Sequence, residues 1–140
     1  IGLIGVSDYV VAHQSASLRL SELSLGIGPF VIAPVLKRKL GISHFTNISL
    51  NPKQWKSSGW GLDTGLYSEV HSSLEQLNER VDQLISEYVK FSPEAIFQMK
   101  SMFWNDYKDL DEEMKKGAEK SGSLVLSDYT AEVLKKIHQK

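Results

Sequence analysis

The chain has 140 residues, 41% hydrophobic and 24% charged, the balance of an ordinary globular domain large enough to bury a real core. A formal net charge of -1 argues against nucleic acid or an anionic membrane as electrostatically selected partners, and the absence of cysteine excludes disulfides, thiolate nucleophiles and cysteine-zinc sites. No apolar run approaches the roughly 20 residues of a membrane span, and Ile1-Gly2-Leu3-Ile4-Gly5-Val6 lacks the basic segment of a signal peptide, so a cytoplasmic protein is expected.

Taken in order, Ile1 to Val6 is short and apolar and fits a strand as well as a helix. Asp8 ends it, Tyr9 to His13 is a β-branched, apolar strand, and Leu18-Arg19-Leu20 alternates as a second. The run Leu23 to Pro29 carries two glycines and a proline, which break a helix and let backbone amides approach a ligand. From Pro29 a mostly buried helix is expected, with Lys37, Arg38 and Lys39 in its last turn and Gly41 as its stop. Ile42, Phe45, Ile48 and Leu50 then recur at helical spacing until Asn51-Pro52. Pro52 is expected to open a short helix from Lys53 to about Gly59, with Trp55 and Trp60 as packing anchors, before a loop from Gly61 to Gly65 and an extended segment from Leu66 to Val70.

The second half reads as helical. Ser72-x-x-Glu75 has the form of a capping box ahead of the apolar face Leu74, Leu77, Val81, Leu84, Ile85 and Tyr88. Ser92-Pro93 starts a further helix, with Ile96, Met99, Met102, Phe103, Leu110 and Met114 on its apolar side and an acidic end from Asp106 to Glu113. Gly117 to Gly122 is expected to break it, and Ser127 to cap a last helix bearing Ala131, Leu134 and Ile137. Two regions follow from this order: residues 1–70 with a core and a carboxylate, and 71–140 as a helical C-terminal region.

The carboxylate is Glu22, placed between a short strand and a glycine-bearing turn that leads into an apolar helix. As a lone glutamate it is a surface residue on base rates. Held against an apolar wall, it would instead have the raised pKa that suits proton transfer near neutral pH. Composition leaves both readings open.

Leu18-Arg19-Leu20-Ser21-Glu22-Leu23-Ser24-Leu25-Gly26-Ile27-Gly28-Pro29, with Arg38-Lys39-Leu40-Gly41 closing the helix behind it, resembles the crotonase (enoyl-CoA hydratase/isomerase) superfamily. The likeness extends upstream through Gly2 to Ala12 and downstream through Gly65-Leu66-Tyr67-Ser68-Glu69-Val70. It implies an α/β fold, the C-terminal portion of a crotonase-like ββα superhelix, with Gly2 to Ser7 as a small-residue helix and a helical C-terminal trimerisation region. By the same resemblance the chain looks like a C-terminal fragment or a processed chain, because the two amides of the family's oxyanion hole lie upstream of Ile1.

The resemblance implies an acyl-CoA thioester as substrate, no cofactor beyond the coenzyme A that the substrate carries, and a homotrimer or a hexamer built from two trimers. Glu22 takes the position of the second catalytic glutamate of the hydratases, while Gly2 stands at the first. Gly28, Pro29 and Phe30 take the substrate-binding positions that follow, and Pro29-Phe30-Val31-Ile32-Ala33-Pro34 resembles a methylglutaconyl-CoA hydratase-like subset. Hydration of a short or branched 2,3-enoyl-CoA is the first expectation. The alternatives are a Δ-isomerase that shuttles a proton with one glutamate, and a non-catalytic oligomerisation fragment. Other constellations are weak: His13, His44, His71 and His138 show no ligand spacing, Ser21 has no nucleophile elbow, Gly26-x-Gly28 lacks a third glycine, and Asp63 and the lysines Lys135, Lys136 and Lys140 read as solvated.

Overall fold

The structure is a computed structural model that describes residues 1–138; Lys140, read above as solvated, lies outside them. Helix α1 (Gly2–Val6) comes first, because Gly5 lies where a side chain would press within 2.9 Å of Val35, so the small residues serve close helix packing. Strands β1 (Val11–His13) and β2 (Ser17–Leu18) follow, then a 3-10 turn over Glu22–Leu25. Helix α2 (Ala33–Leu50) is broken at Gly41, whose φ of 67° and ψ of 165° are not helical, so the expected glycine stop is real but the chain resumes at once. The helix starts at Ala33 rather than Pro29. Pro34 lies in its first turn, where the missing N–H costs nothing, whereas in a helix begun at Pro29 it would fall inside.

Strand β3 (Lys56–Ser57) and helix α3 (Ser58–Asp63) replace the expected helix at Lys53–Gly59 and most of the expected loop at Gly61–Gly65. Pairing with β2 decides the first, in the antiparallel register Ser17↔Ser57 and Leu18↔Lys56. The Ser57 hydroxyl then caps α3 by accepting from the Trp60 amide at 3.2 Å. Gly61 is small because the Tyr67 ring lies 2.5 Å from where its Cβ would be. Trp60 packs on the core, but Trp55 is 58% exposed and carries the Arg19 guanidinium 4.6 Å from its ring centroid, so it is a surface platform and not an anchor. Strand β4 (Glu69–His71) pairs in parallel with β1 in the register Val11↔Glu69, Ala12↔Val70 and His13↔His71. The boundary drawn between residues 1–70 and 71–140 falls inside β4.

Helix α4 (Leu74–Tyr88) is capped by Ser73, one residue later than expected, whose hydroxyl accepts from the Gln76 amide at 3.2 Å. Helix α5 (Pro93–Phe103) starts on the Ser92 cap as the sequence suggests. It does not run on to Met114. Trp104 leaves helical geometry, its indole N–H donating to Asp8 at 3.2 Å and its ring lying 3.9 Å from the Arg38 guanidinium. Helix α6 (Leu110–Val125) passes straight through the predicted breaker, and helix α7 (Asp128–His138) follows on the Ser127 cap. Gly117 is there for contact: a Cβ on it would sit 2.5 Å from the carbonyl oxygen of Phe30.

The core is aliphatic and draws on distant elements. Leu20, Val35, Leu36, Ile48 and Leu66 are almost fully buried, each contributing about 1.5–3 kcal/mol of transfer free energy. Lys56 is also buried, with no acid as its partner among the described residues; its ammonium donates to Asn47 at 2.8 Å and Gln54 at 2.9 Å and faces the Trp60 ring. No helix among the described residues is long and apolar enough to cross a membrane.

Two carboxylates tie the layers together. Asp8 meets Lys100 of α5 at 2.8 Å, Arg38 of α2 at 3.6 Å and the Trp104 indole. Burial pushes its pKa up, but the hydrogen bonds from Lys100 and Trp104, with the charges of Lys100 and Arg38, outweigh that and leave it below the ordinary value. Glu69 on β4 accepts from the Tyr9 hydroxyl and, at 2.9 and 3.1 Å, from Arg80 Nε of α4, while His71 lies 3.0 Å away. The Tyr9 hydrogen bond leads in lowering its pKa, which comes down to about 2 against desolvation that opposes it.

Two outcomes follow from this packing. A folded pKa below the unfolded one makes Glu69 stabilising above about pH 4.5, with the contribution lost as pH falls from 4.5 toward 2; urea midpoints of Glu69→Gln should therefore depend less on pH across that window than those of the parent. Gly117→Ala should lower stability by about 1–3 kcal/mol, because the overlap with Phe30 outweighs the roughly 1 kcal/mol gained in helix propensity. Denaturant unfolding would read a gain instead if α6 did not approach that closely.

Candidate active site

Glu22 is the first residue of the 3-10 turn, reached as soon as the buried Leu20 has anchored the preceding strand. Ser21 precedes it in helical geometry and gives the turn no side-chain cap. The backbone closes at the far end: Gly26 donates to the Leu23 carbonyl at 3.2 Å and Ile27 to the Glu22 carbonyl at 3.1 Å. Gly26 takes φ 82°, the left-handed conformation that a glycine reaches without penalty.

The glutamate is half-buried, between the two readings its sequence context allowed. Among the described residues no hydrogen bond or ion pair engages its carboxylate, in contrast to Asp8 and Glu69, and no buried side-chain oxygen is left unsatisfied. Its hydrogen-bonding capacity is therefore not spent on the described residues.

Gly28, Pro29 and Phe30 form the bend that carries the chain from this turn toward α2. The Phe30 ring folds back over Gly28, where an added Cβ would lie 2.5 Å from its Cζ. The Phe30 amide donates to the Gly28 carbonyl at 2.8 Å, so that N–H is already used within the bend. Gly2 is near the same bend: a Cβ there would sit 3.3 Å from Ile32 Cγ2. The position of the missing first glutamate thus meets an aliphatic side chain.

The sequence reading missed the residues that hold this segment from behind. Tyr129 and Thr130 of α7 lie against Gly26, with Tyr129 Cδ1 at 2.5 Å and Thr130 Oγ1 at 2.8 Å from where its Cβ would be, and Gly117 of α6 lies against Phe30. No local pattern marks a contact across a hundred residues; an isolated glycine inside a helical run was the available sign. Among the described residues no cluster of three or more His, Asp or Glu could hold a metal ion.

The sequence model of the enoyl-CoA hydratase/isomerase family matches residues 1–131, and the chain belongs to that family. Its fold is the crotonase fold. It superposes on an enoyl-CoA hydratase from Mycobacterium avium with a TM-score of 0.88, at 24% identity over 99% of this chain and 54% of the other. An enoyl-CoA hydratase from Bacillus halodurans gives 0.87, at 20% identity over 96% of this chain and 54% of that one. In sequence, 65 residues are 34% identical to the bacillaene synthase dehydratase PksH of Bacillus subtilis (strain 168), covering 44% of this chain and 25% of PksH. The chain spans about half the length of the solved structures it resembles.

Gly26→Ala should cost at least about 2 kcal/mol, the sum of a left-handed backbone penalty of about 1–2 kcal/mol and the overlap with Tyr129. Urea unfolding with linear extrapolation measures it, and a cost below about 0.5 kcal/mol would contradict the contact.

Proposed function

We propose that the whole protein acts on an enoyl-CoA thioester, adding or removing water across the 2,3 double bond, with Glu22 as its acid/base. The observation that carries the reading is a half-buried carboxylate, free of protein partners, on a rigid glycine-closed turn at the place where the family carries a catalytic glutamate. In the hydration direction the water oxygen bonds to C3 while its proton passes to Glu22. The enolate then takes a proton from Glu22 at C2, so one carboxylate returns to its starting state. No cofactor is required beyond the coenzyme A of the substrate. The likeness to PksH, named a dehydratase, supports water chemistry, since elimination is hydration reversed.

Gly28, Pro29 and Phe30 would border the acyl group. The ring of Phe30, folded over Gly28, narrows that side and suits a short or branched chain, in keeping with the Pro29-x-Val31-Ile32-x-Pro34 pattern. A homotrimer or hexamer is proposed on the exposed apolar side chains of the C-terminal helices, Val89, Phe97, Met102 and Leu126 among them.

One observation favours isomerisation as a second reading. Gly2 offers no second carboxylate and faces Ile32, and a single glutamate suffices to carry a proton between C2 and C4. A non-catalytic oligomerisation role is separated from both by titration with a CoA thioester, which a scaffold would not bind saturably.

Glu22→Gln in the protein at its full natural length should reduce turnover of crotonyl-CoA by about 10²–10⁴-fold, the usual weight of a positioned acid/base. The loss is followed by absorbance of the conjugated thioester, and unchanged turnover would remove Glu22 from the mechanism.

A further inference from the structure

We propose that Tyr129 of α7, seated with Thr130 on Gly26, is a positioning residue for Glu22, so that the C-terminal helix sets the aim of the carboxylate. The inference rests on the reading of Glu22 as acid/base. It starts from what the turn lacks. Ser21 makes no side-chain cap, the glutamate carboxylate has no protein partner among the described residues, and the Glu22 backbone is tied only through its carbonyl to the amides that close the turn at Gly26 and Ile27. Where Gly26 sits therefore decides where Glu22 points.

Gly26 is held from outside the turn. The Tyr129 ring covers its Cα so closely that an added Cβ would fall 2.5 Å from Cδ1 and 2.9 Å from Cε1, with Thr130 Oγ1 at 2.8 Å. Thr130 is itself immobilised: it is 2% exposed, its amide donates to Ser127 Oγ at 3.3 Å, and its hydroxyl lies 3.2 Å from Ser127 Oγ. Ser127 in turn donates to the Leu124 carbonyl at the end of α6. Because α6 grips Phe30 through Gly117 a few turns earlier, the α6–α7 pair holds the segment at both ends, Gly26 and Phe30, with Gly28 and Pro29 between.

Tyr129 contributes through its ring carbons Cδ1 and Cε1. It is 64% exposed and its hydroxyl has no partner among the described residues, so its removal costs little stability while freeing the Gly26 closure. Loss of aim at a catalytic group is expensive in rate and cheap in binding, since displacements on the order of 1 Å can cost about 10²-fold.

The test is steady-state kinetics with crotonyl-CoA on the protein at its full natural length. Tyr129→Ala should lower kcat by about tenfold or more with KM within about twofold, and with a melting temperature within a few degrees of the parent. Tyr129→Phe, which keeps the ring, should restore kcat. In a Glu22→Gln background Tyr129→Ala should add no further loss, because both act through one group. Unchanged kcat in Tyr129→Ala, a loss that phenylalanine fails to restore, or a further tenfold fall on top of Glu22→Gln would each overturn the proposal. Should the alanine variant unfold, Tyr129→Leu carries the same comparison, keeping apolar bulk without the flat ring. An inert Glu22→Gln would sink the Glu22 reading and this inference with it, whereas an inactive Glu22→Gln beside a normal Tyr129→Ala would sink this inference alone.

Discussion

The segment from Glu22 to Ile32 depends on a backbone-to-backbone approach: α6 comes so near the Phe30 carbonyl that only glycine fits at position 117. The segment needs such an external grip, because it makes few bonds of its own. It contains a one-turn 3-10 element, a left-handed glycine and a bend closed by one short-range hydrogen bond. Irregular backbone of this kind keeps one conformation only when its surroundings over-determine it. Here the surroundings are α6 and α7 on one side and the buried start of α2 on the other.

The three carboxylates discussed here divide their work by their partners. Asp8 and Glu69 are saturated with cations and hydrogen-bond donors, which favour their charged forms and make them struts between α2, α5, β1, β4 and α4. Glu22 is left without a partner on an otherwise well-held turn. A group that joins elements needs its valence filled from within, and a group that handles a substrate proton needs its valence open. Glu22 differs from both in being half-buried with no partner among the described residues.

The crotonase fold and family membership rest on residues 1–131 and beyond, while the proposed chemistry rests on one turn. Position 2 is the main departure from the two-glutamate pattern, and its surroundings agree with its identity: it packs on Ile32, so an aliphatic wall stands there. Phe30 extends that wall toward Gly28 and spends its own amide on the bend.

By itself the sequence determined what is local. The β-branched strand at Val11–His13, the Ser92-Pro93 and Ser127 helix starts, the break at Gly41 and the carboxylate beside a glycine turn are each written in a few adjacent residues, because caps, turns and periodicity act over one or two turns of chain. Tertiary structure decided what depends on distant partners. Lys56–Ser57 became a strand because β2 was there to pair with it, Trp104 left its helix to meet Asp8 and Arg38, and Gly117, which reads as a helix breaker in isolation, continues a helix because its missing side chain admits Phe30. The grip on Glu22 belongs to this second kind. Gly26 and Tyr129 are separated by most of the chain, and the gain from their contact exists only once the fold has brought them together.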